Sequence, residues 1–293
     1  MRTLLVTGAT GFLGHNLVKA LAEDPTTKVI AVLGRPEDKA NSLPQRDNIL
    51  IYPCDDIFLR DLGHIDTLIH TAFSRGDSLS GLTSSISFTA RVIELVNNQN
   101  IDSIVNISTQ GIYRRLSPGE LVTEEGMVEP NTAYGLAKWA VENMFRLGCK
   151  KTFTHIRMAS LSSNAHFLDF FVESVIRGRD IIVTAPHQYA SIMDVEDAVK
   201  GILSVTNLPT EKRECVYNLG PGVQHSILEY ANAANDIGQQ FGYTPVPVNV
   251  HDSGKAFAVC MDCSKLIAQT RWHPVITMQI MLQNMFNSKI ILI

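Results

Sequence analysis

The sequence has few cysteines, no long apolar run and no excess of basic residues, and each shortage excludes a class of protein. The five cysteines among 293 residues form an odd set without disulfide-like spacing, which is typical of a reducing compartment. No apolar stretch approaches the roughly 20 residues of a membrane span, so we expect a cytoplasmic protein without membrane contact. The formal net charge of −4, with scattered basic residues, provides no stripe for nucleic acid.

Metal binding is also not expected. Cys260 and Cys263 are separated by two residues in CMDC. A zinc site needs four ligands, however, and no second Cys or His pair has finger-like spacing. We interpret the two cysteines as small residues in a strand and a turn, with a redox pair as the alternative.

The chain contains 45% hydrophobic residues, enough for a large core. Short apolar runs alternate with helical patterns, which predicts an α/β fold with a doubly wound parallel sheet of Rossmann type, covered by helices on both faces. The apolar runs lie at 4–6, 29–33, 49–52, 67–72, 103–107 and 153–158, and the main helical patterns at 12–23, 86–99 and 132–147.

The alternation loosens beyond residue 160, which indicates a second lobe. We predict a first domain at 1–162, with 189–220 returning to it, and a smaller mixed α/β lobe at 163–188 and 221–293. Further elements are expected as helices near 166–178 and 194–206, a short strand at 181–184, and a helix to about 238 opened by a capping box at Ser226 and Glu229.

The segment TGATGFLG at 7–14 directly follows the first apolar run. Gly8 permits a sharp turn off the strand, Gly11 leaves room for a pyrophosphate, and Gly14 permits close packing of the next helix. Unpaired N–H groups at that helix N-terminus favour an anion. The segment therefore predicts a dinucleotide cradle. We accordingly expect the domain at 1–162 to be the dinucleotide-binding domain and the smaller lobe to bind the substrate.

Tyr134 and Lys138 lie four residues apart in AYGLAKWA, so both project from one face of a helix. An adjacent ammonium favours phenolate and lowers the tyrosine pKa from its ordinary value near 10. Upstream, NISTQGIY at 106–113 ends a strand at the carboxyl edge of the predicted sheet, where α/β sites assemble. These residues form a candidate site for proton transfer.

With these motifs the chain resembles the extended short-chain dehydrogenases/reductases, the nucleotide-sugar epimerase/dehydratase family. The resemblance spans nearly the whole chain. Further support comes from DTLIHTA at 66–72, SIMDVED at 191–197, YNLG at 217–220, and DCSK at 262–265 before Trp272.

The resemblance implies catalytic roles for three residues. Tyr134 exchanges a proton with a substrate hydroxyl or carbonyl, Lys138 holds the nicotinamide ribose, and Thr109 hydrogen-bonds the reacting oxygen. The choice of Thr109 follows the family spacing to Tyr113, and Ser108 is the fallback. Neighbouring residues of an extended segment point to opposite faces, so only one of the two can face the pocket.

The resemblance also implies a nicotinamide dinucleotide and its contacts. Family members that bind NAD end the second strand with an acidic residue, but Leu33 occupies that place here, and Arg35 is a natural partner for a ribose 2′-phosphate. This favours NADP over NAD. Besides Tyr134, Lys138 and Arg35, the implied cofactor-binding residues are Gly8, Thr10, Gly11, Phe12, Leu13, Gly14, Asp56, Ile57, His70, Ala72 and Phe73.

Departures from the family pattern narrow the reaction. Gln110 and Gly111 replace the acidic pair that follows the catalytic Thr in dehydratases, which disfavours dehydration. The arginines that usually bind a substrate diphosphate are not evident, and Arg114 and Arg179 are our candidates to replace them.

The main hypothesis is hydride transfer at a carbinol or keto carbon of a nucleotide sugar, by a 4-epimerase or a 4-ketoreductase. One alternative is an NADPH-dependent reductase of a carbonyl compound without a nucleotide, and another is a non-catalytic dinucleotide-sensing module. We also expect a homodimer through the helices at 86–99 and 132–147, which the family commonly pairs into a four-helix bundle.

Overall fold

The computed structural model describes residues 1–34, 40–76, 78–251, 254 and 258–290. Seven strands form one sheet and six short strands form three two-stranded pairs. In chain order the strands are β1 (Arg2–Thr7), β2 (Thr27–Val32), β3 (Ile49–Tyr52), β4 (Ile65–His70), β5 (Ile101–Thr109), β6 (Thr152–Met158), β7 (Ser160–Leu161), β8 (Ile181–Val183), β9 (Tyr189–Ala190), β10 (Ile192–Met193), β11 (Val216–Leu219), β12 (His225–Ser226) and β13 (Val248–Val250).

Three of the α-helices begin at capping side chains. Ser78 and Thr132 cap the second and third helices by accepting from the backbone N–H three residues on, and Ser226 with Glu229 forms the predicted capping box. In chain order the helices are α1 (Phe12–Ala22), α2 (Leu79–Asn98), α3 (Ala133–Gly148), α4 (His166–Ile176), α5 (Val195–Thr206), α6 (Ile227–Gln240), α7 (Ser264–Thr270) and α8 (Met278–Ile290).

The strand order of the main sheet is β3-β2-β1-β4-β5-β6-β11. The pairs β3-β2, β2-β1, β1-β4 and β4-β5 are parallel. Leu5 of β1 lies between Ile30 of β2 and Leu68 of β4, and all three are almost fully buried. The carboxyl ends of β1 and β4 therefore meet at one edge, and the predicted Rossmann-type α/β fold is confirmed.

The chain divides into two compact units. The first comprises Met1–Ile112, Pro130–Arg157 and Ile202–Tyr217, and the second comprises Tyr113–Glu129, Met158–Gly201 and Asn218–Ile293. The predicted ranges differ from these at 113–129, 158–162, 189–201 and 218–220, which group with the second unit. These segments are short, and the unit to which each belongs depends on contacts with residues that are far away in the sequence.

Each unit has its own apolar core. The first core packs the sheet against α2 and α3 through residues such as Leu68, Val92 and Val141. The second core packs α4, α6 and α8 through residues such as Phe171, Tyr230 and Phe286. The cofactor and catalytic residues predicted from the sequence, Arg35 apart, lie in the first unit.

Candidate active site

The glycine turn after β1 is shaped by close backbone contacts. Gly8 has a φ of +70°, and a Cβ there would lie 2.8 Å from the backbone nitrogen of Ala72. A Cβ on Gly14 would overlap the carbonyl of Gly8. Gly11 is the N-cap of α1, and a Cβ on it would meet only the Gly8 oxygen, at 3.2 Å. The turn therefore brings the α1 N-terminus close to the loop after β4.

A cavity of about 620 Å³ opens over this turn, a volume in the range of small-molecule and cofactor sites. Of the residues predicted to bind the cofactor, five line it: Gly8, Thr10, Gly11, Ala72 and Phe73. Its other lining residues are Leu33, Gly34, Cys54, Thr71, Ser74, Ser80, Gly81, Ser84, Ser85 and Phe88. Phe12, Leu13, Gly14, Asp56, Ile57, His70, Tyr134 and Lys138 are outside this lining.

At the β2 end of the cavity, Leu33 occupies the position that immediately follows the strand, and it is buried. The side chain provides no carboxylate for ribose hydroxyls. Asp56 instead accepts a hydrogen bond from Arg60 at 2.8 Å, and Ile57 is fully buried. Arg35, the predicted partner of a 2′-phosphate, lies outside the described residues.

His70 ends β4 beneath the cavity rather than in its wall. Its Nδ1 lies 2.7 Å from Thr7 Oγ1 and its Nε2 lies 3.0 Å from Thr89 Oγ1. Burial lowers the pKa of His70 to about 3, so the imidazole is neutral at physiological pH. Its role is to join β1, β4 and α2 by hydrogen bonds.

Tyr134 and Lys138 lie in the first two turns of α3, against Phe73. The rings of Phe73 and Tyr134 meet edge to face with centroids 5.8 Å apart. Lys138 Nζ lies 3.9 Å from the Phe73 ring centroid and donates to the carbonyl of Ile107 at 2.8 Å. Phe73 also lines the cavity, so it connects the cavity to the tyrosine–lysine pair.

The electrostatics of the pair differ from the sequence expectation. Burial raises the pKa of Tyr134, and the positive charge of Arg75 opposes that shift. Burial lowers the pKa of Lys138 to about 7, despite the nearby Glu142 carboxylate. The expected lowering of the tyrosine pKa by Lys138 is not seen, because Lys138 is itself desolvated.

Ser108 and Thr109 have different surroundings. Ser108 is buried and donates to Glu142 Oε1 at 2.5 Å, so its hydroxyl is engaged in the interior. Thr109 is half-buried, and its Oγ1 accepts from the N–H of Gly111 at 3.1 Å. A Cβ on Gly135 would overlap the carbonyl of Gly111, so the start of α3 packs against the turn that follows Thr109.

Two features of the site were not predicted from the sequence. One is a buried ion pair in which Arg157 Nη2 donates to Glu142 Oε2 at 2.8 Å, one helical turn after Lys138. The other is Arg75, whose charge lowers the pKa of both Tyr134 and Lys138. The signal for the ion pair was a glutamate four residues after the lysine on a buried helix face.

The predicted substrate residues lie in the second unit. Arg114 is exposed and lies 3.8 Å from Glu120, whereas Arg179 is exposed and its N–H donates to the carbonyl of Ser174. Cys260 and Cys263, in the same unit, are buried free thiols, and burial raises the pKa of both.

Among the described residues, one group has atoms close enough to share a metal ion. It consists of His64, Asp66 and Asp102, whose potential ligand atoms lie within 4.8 Å of one another. Partners within the chain account for it, since His64 pairs with Asp102 at 2.9 Å and Asp66 accepts from Thr3 N–H.

A parallel sheet, a glycine turn before a helix and a tyrosine–lysine pair define a dinucleotide-binding α/β fold of the dehydrogenase class. The chain belongs to the NAD dependent epimerase/dehydratase family, whose profile matches residues 4–220. The family expected from the sequence motifs is therefore confirmed.

Curated relatives are distant. An uncharacterized membrane protein of Methanocaldococcus jannaschii is 22% identical over 275 residues, covering 87% of this chain and 77% of that protein. A hybrid PKS-NRPS synthetase of Penicillium citrinum is 26% identical over 271 residues, which is 81% of this chain but only 6% of that protein. In the part of this chain that the structure describes, no helix has the length and apolarity needed to cross a membrane.

Solved structures share the fold over nearly the full length. A UDP-glucuronic acid 4-epimerase of Bacillus cereus has a TM-score of 0.84 at 18% identity, covering 99% of this chain and 100% of that one. A UDP-glucose 4-epimerase of Thermotoga maritima has a TM-score of 0.81 at 20% identity, covering 99% of each chain.

Proposed function

We propose that the protein is an NAD(P)-dependent oxidoreductase acting on a nucleotide sugar, with hydride transfer at a carbinol or keto carbon. The observation that carries this proposal is a single juxtaposition within the first unit. Phe73 lines the 620 Å³ cavity over the glycine turn and also contacts Tyr134 and Lys138. A cofactor cavity and a proton-transfer pair therefore share one side chain.

The residues present fit a nicotinamide dinucleotide. Gly8 and Gly11 leave the cavity side of the turn without side chains, and the α1 N-terminus there suits a pyrophosphate. Lys138 is the group that would hold the nicotinamide ribose. When bound, the nicotinamide supplies a hydride acceptor or donor, chemistry that protein side chains lack.

Proton transfer is the task of the chain itself. Burial raises the pKa of Tyr134, so the phenol is protonated at neutral pH and can donate to a carbonyl oxygen. In the reverse direction the Tyr134 phenolate accepts the carbinol proton and becomes the phenol, and the nearby charge of Arg75 favours the phenolate that this step needs. Thr109, the last residue of β5 before the turn packed against α3, would hydrogen-bond the reacting oxygen.

Two reaction types remain within the proposal. A 4-epimerase oxidises and then reduces the same carbon and leaves the cofactor unchanged overall, whereas a 4-ketoreductase consumes one reduced cofactor per turnover. The two solved structures that share this fold are UDP-sugar 4-epimerases, which supports the epimerase reaction. A reductase of a non-nucleotide carbonyl compound is the second candidate, favoured by the absence of the family's usual diphosphate-binding arginines from their expected positions.

The proposal includes a cytoplasmic homodimer. The cytoplasmic location is supported by the five free cysteines, which suit a reducing compartment. The dimer is supported by α2 and α3, which pack side by side and leave Leu136 and Leu147 exposed.

The first test separates cofactor binding from catalysis. Gly11→Val should abolish NAD+ and NADP+ binding in calorimetry, because the new side chain occupies the pyrophosphate site. Tyr134→Phe should retain binding but lose turnover of UDP-sugars by on the order of 100-fold or more. Gly148→Ala is the matched control, since a Cβ there meets only Ile93, at 3.9 Å.

Unchanged dinucleotide affinity in folded Gly11→Val would contradict the cofactor assignment. Wild-type turnover by Tyr134→Phe would contradict the catalytic assignment even if the cofactor binds. A wild type that binds the dinucleotide but turns over no sugar nucleotide or carbonyl compound would instead favour the sensing module.

A further inference from the structure

The loop that follows β4 is anchored on both sides of Phe73. Thr71 Oγ1 donates to the carbonyl of Thr7 at 2.6 Å, which attaches the loop to β1. The N–H of Ser74 donates to Ser85 Oγ at 2.8 Å, which attaches it to α2. Arg75 directly follows this second anchor, so the starting point of its side chain is fixed beside the cavity.

The Arg75 guanidinium has no hydrogen-bond or ion-pair partner among the residues that the structure describes, and its side chain is exposed. Other arginines of the same unit are engaged: Arg60 pairs with Asp56, Arg91 with Asp55, and Arg157 with Glu142. Unlike these three arginines, Arg75 is therefore available to a ligand as far as the described part of the chain shows.

The guanidinium is also within electrostatic reach of the reacting groups. Its charge lowers the pKa of Tyr134 and that of Lys138, although neither residue is near it in sequence. Phe73, two residues before it, contacts both side chains. A group held by Arg75 would thus lie beside the carbon on which Tyr134 acts.

We propose that Arg75 binds an anionic oxygen group of the substrate, a carboxylate or a phosphate, next to the carbinol that Tyr134 serves. This inference rests on the proposed function of the same site. Guanidinium offers a planar fork of donors that matches both anions. It would supply the cation that is missing from the positions where the family usually carries its diphosphate-binding arginines.

Calorimetry with saturating NAD+ tests the proposal with two ligand pairs. UDP-glucuronate against UDP-glucose isolates a sugar carboxylate, and UDP against uridine isolates the phosphates. Wild type should prefer the charged member of at least one pair by about tenfold or more. Arg75→Gln should remove that preference, and Arg75→Lys should keep part of it. Arg46→Gln, at an exposed arginine paired with Glu23, should change nothing.

The ligands whose affinity falls in the Arg75→Gln variant identify the anionic group that Arg75 binds. A loss confined to UDP-glucuronate indicates the carboxylate, and a loss shared by UDP and both UDP-sugars indicates the phosphates. The proposal is overturned if wild type shows no preference in either pair, if the preference survives Arg75→Gln, or if Arg75→Gln weakens NAD+ alone. Failure of the proposed function is separate, because it would appear as absent NAD+ binding in wild type.

Discussion

At the scale of single residues, burial and charge oppose each other at Lys138. The side chain is 3% exposed, and its stabilising contacts are one carbonyl, the rings of Phe73 and Tyr134, and the charge of Glu142. Desolvation exceeds these contributions, because an ammonium loses more hydration than one neutral hydrogen bond restores. The lysine is therefore poised near its titration point, where a bound ligand can change its protonation.

This balance predicts a pH dependence of stability. The pKa of Lys138 is about 7 when folded and about 10.5 when unfolded, so between these values the unfolded chain binds more protons. Stability relative to a Lys138→Met variant should then rise with pH, by up to about 1.4 kcal/mol per pH unit. Urea denaturation of both proteins at pH 6, 7, 8 and 9 measures the difference.

Lys19→Met, at an exposed position of α1, is the matched control and should show no such trend. A difference between wild type and Lys138→Met that stays constant from pH 7 to 9 would show that Lys138 keeps its ordinary pKa in the folded protein.

The role of a residue can be predicted from the sequence when the residue it acts with lies nearby in the chain, and it is missed when that residue lies on another element. Tyr134 and Lys138 were identifiable because helical periodicity places them together. The alternation along β5 showed that Ser108 and Thr109 face opposite ways, but not which one is interior. That choice depends on Glu142 and Arg157, which come from α3 and β6. Arg75 was missed because the α3 residues on which its charge acts, Tyr134 and Lys138, are far from it in the sequence.

At the scale of elements, strong periodic patterns were sufficient to predict where several strands and helices begin and end. The predicted strands at 49–52 and 153–158 and helices at 12–23 and 132–147 match β3, β6, α1 and α3 to within one residue. The predicted start of α2 at residue 86 was wrong, because the helix begins at Leu79 after the Ser78 cap. Helices α7 and α8 were not predicted, since α7 has only seven residues and α8 has little amphipathic pattern.

The surface of α3 carries a prediction about assembly. Leu136 and Leu147 are 59% and 79% exposed, and with Ala140 and Asn143 they form a stripe at helical spacing. Because α2 packs beside α3, two copies could bury this stripe in a four-helix arrangement. We expect a dimer in light scattering at micromolar concentration, and a monomer for the Leu136→Glu, Leu147→Glu double variant.

Leu59→Glu provides the control, since Leu59 is an equally apolar side chain of the same unit with 84% exposure. It should remain dimeric. A monomeric wild type, or a double variant as dimeric as the control, would contradict the proposed interface.

At the scale of the whole molecule, neither compact unit is a single stretch of chain. The first unit takes three segments and the second takes three, so no linker composition marks a boundary. Sequence reasoning placed the change at residue 162, whereas a segment of the second unit begins at Met158. The sequence did not show that 113–129 belongs to the second unit, because its contacts there are with residues far along the chain. Tyr113 donates a hydrogen bond to Asn218, and Leu116 pairs with Ala258.

The cofactor preference concerns the molecule as a whole, because it distinguishes a reductase supplied with NADPH from an epimerase that retains NAD. Leu33 after β2 offers no carboxylate to ribose hydroxyls, and Arg35 follows in the sequence, so we expect NADPH to bind more tightly than NADH. One charge-assisted contact contributes about 1.5–3 kcal/mol, hence a ratio on the order of ten to a hundred. Fluorescence titration of the wild-type protein with both cofactors measures this ratio of affinities.

Arg35→Ala should narrow the ratio by weakening NADPH binding, whereas Arg46→Ala should leave the ratio unchanged. Equal affinities, or tighter NADH, would overturn the NADP preference and favour an epimerase with retained NAD.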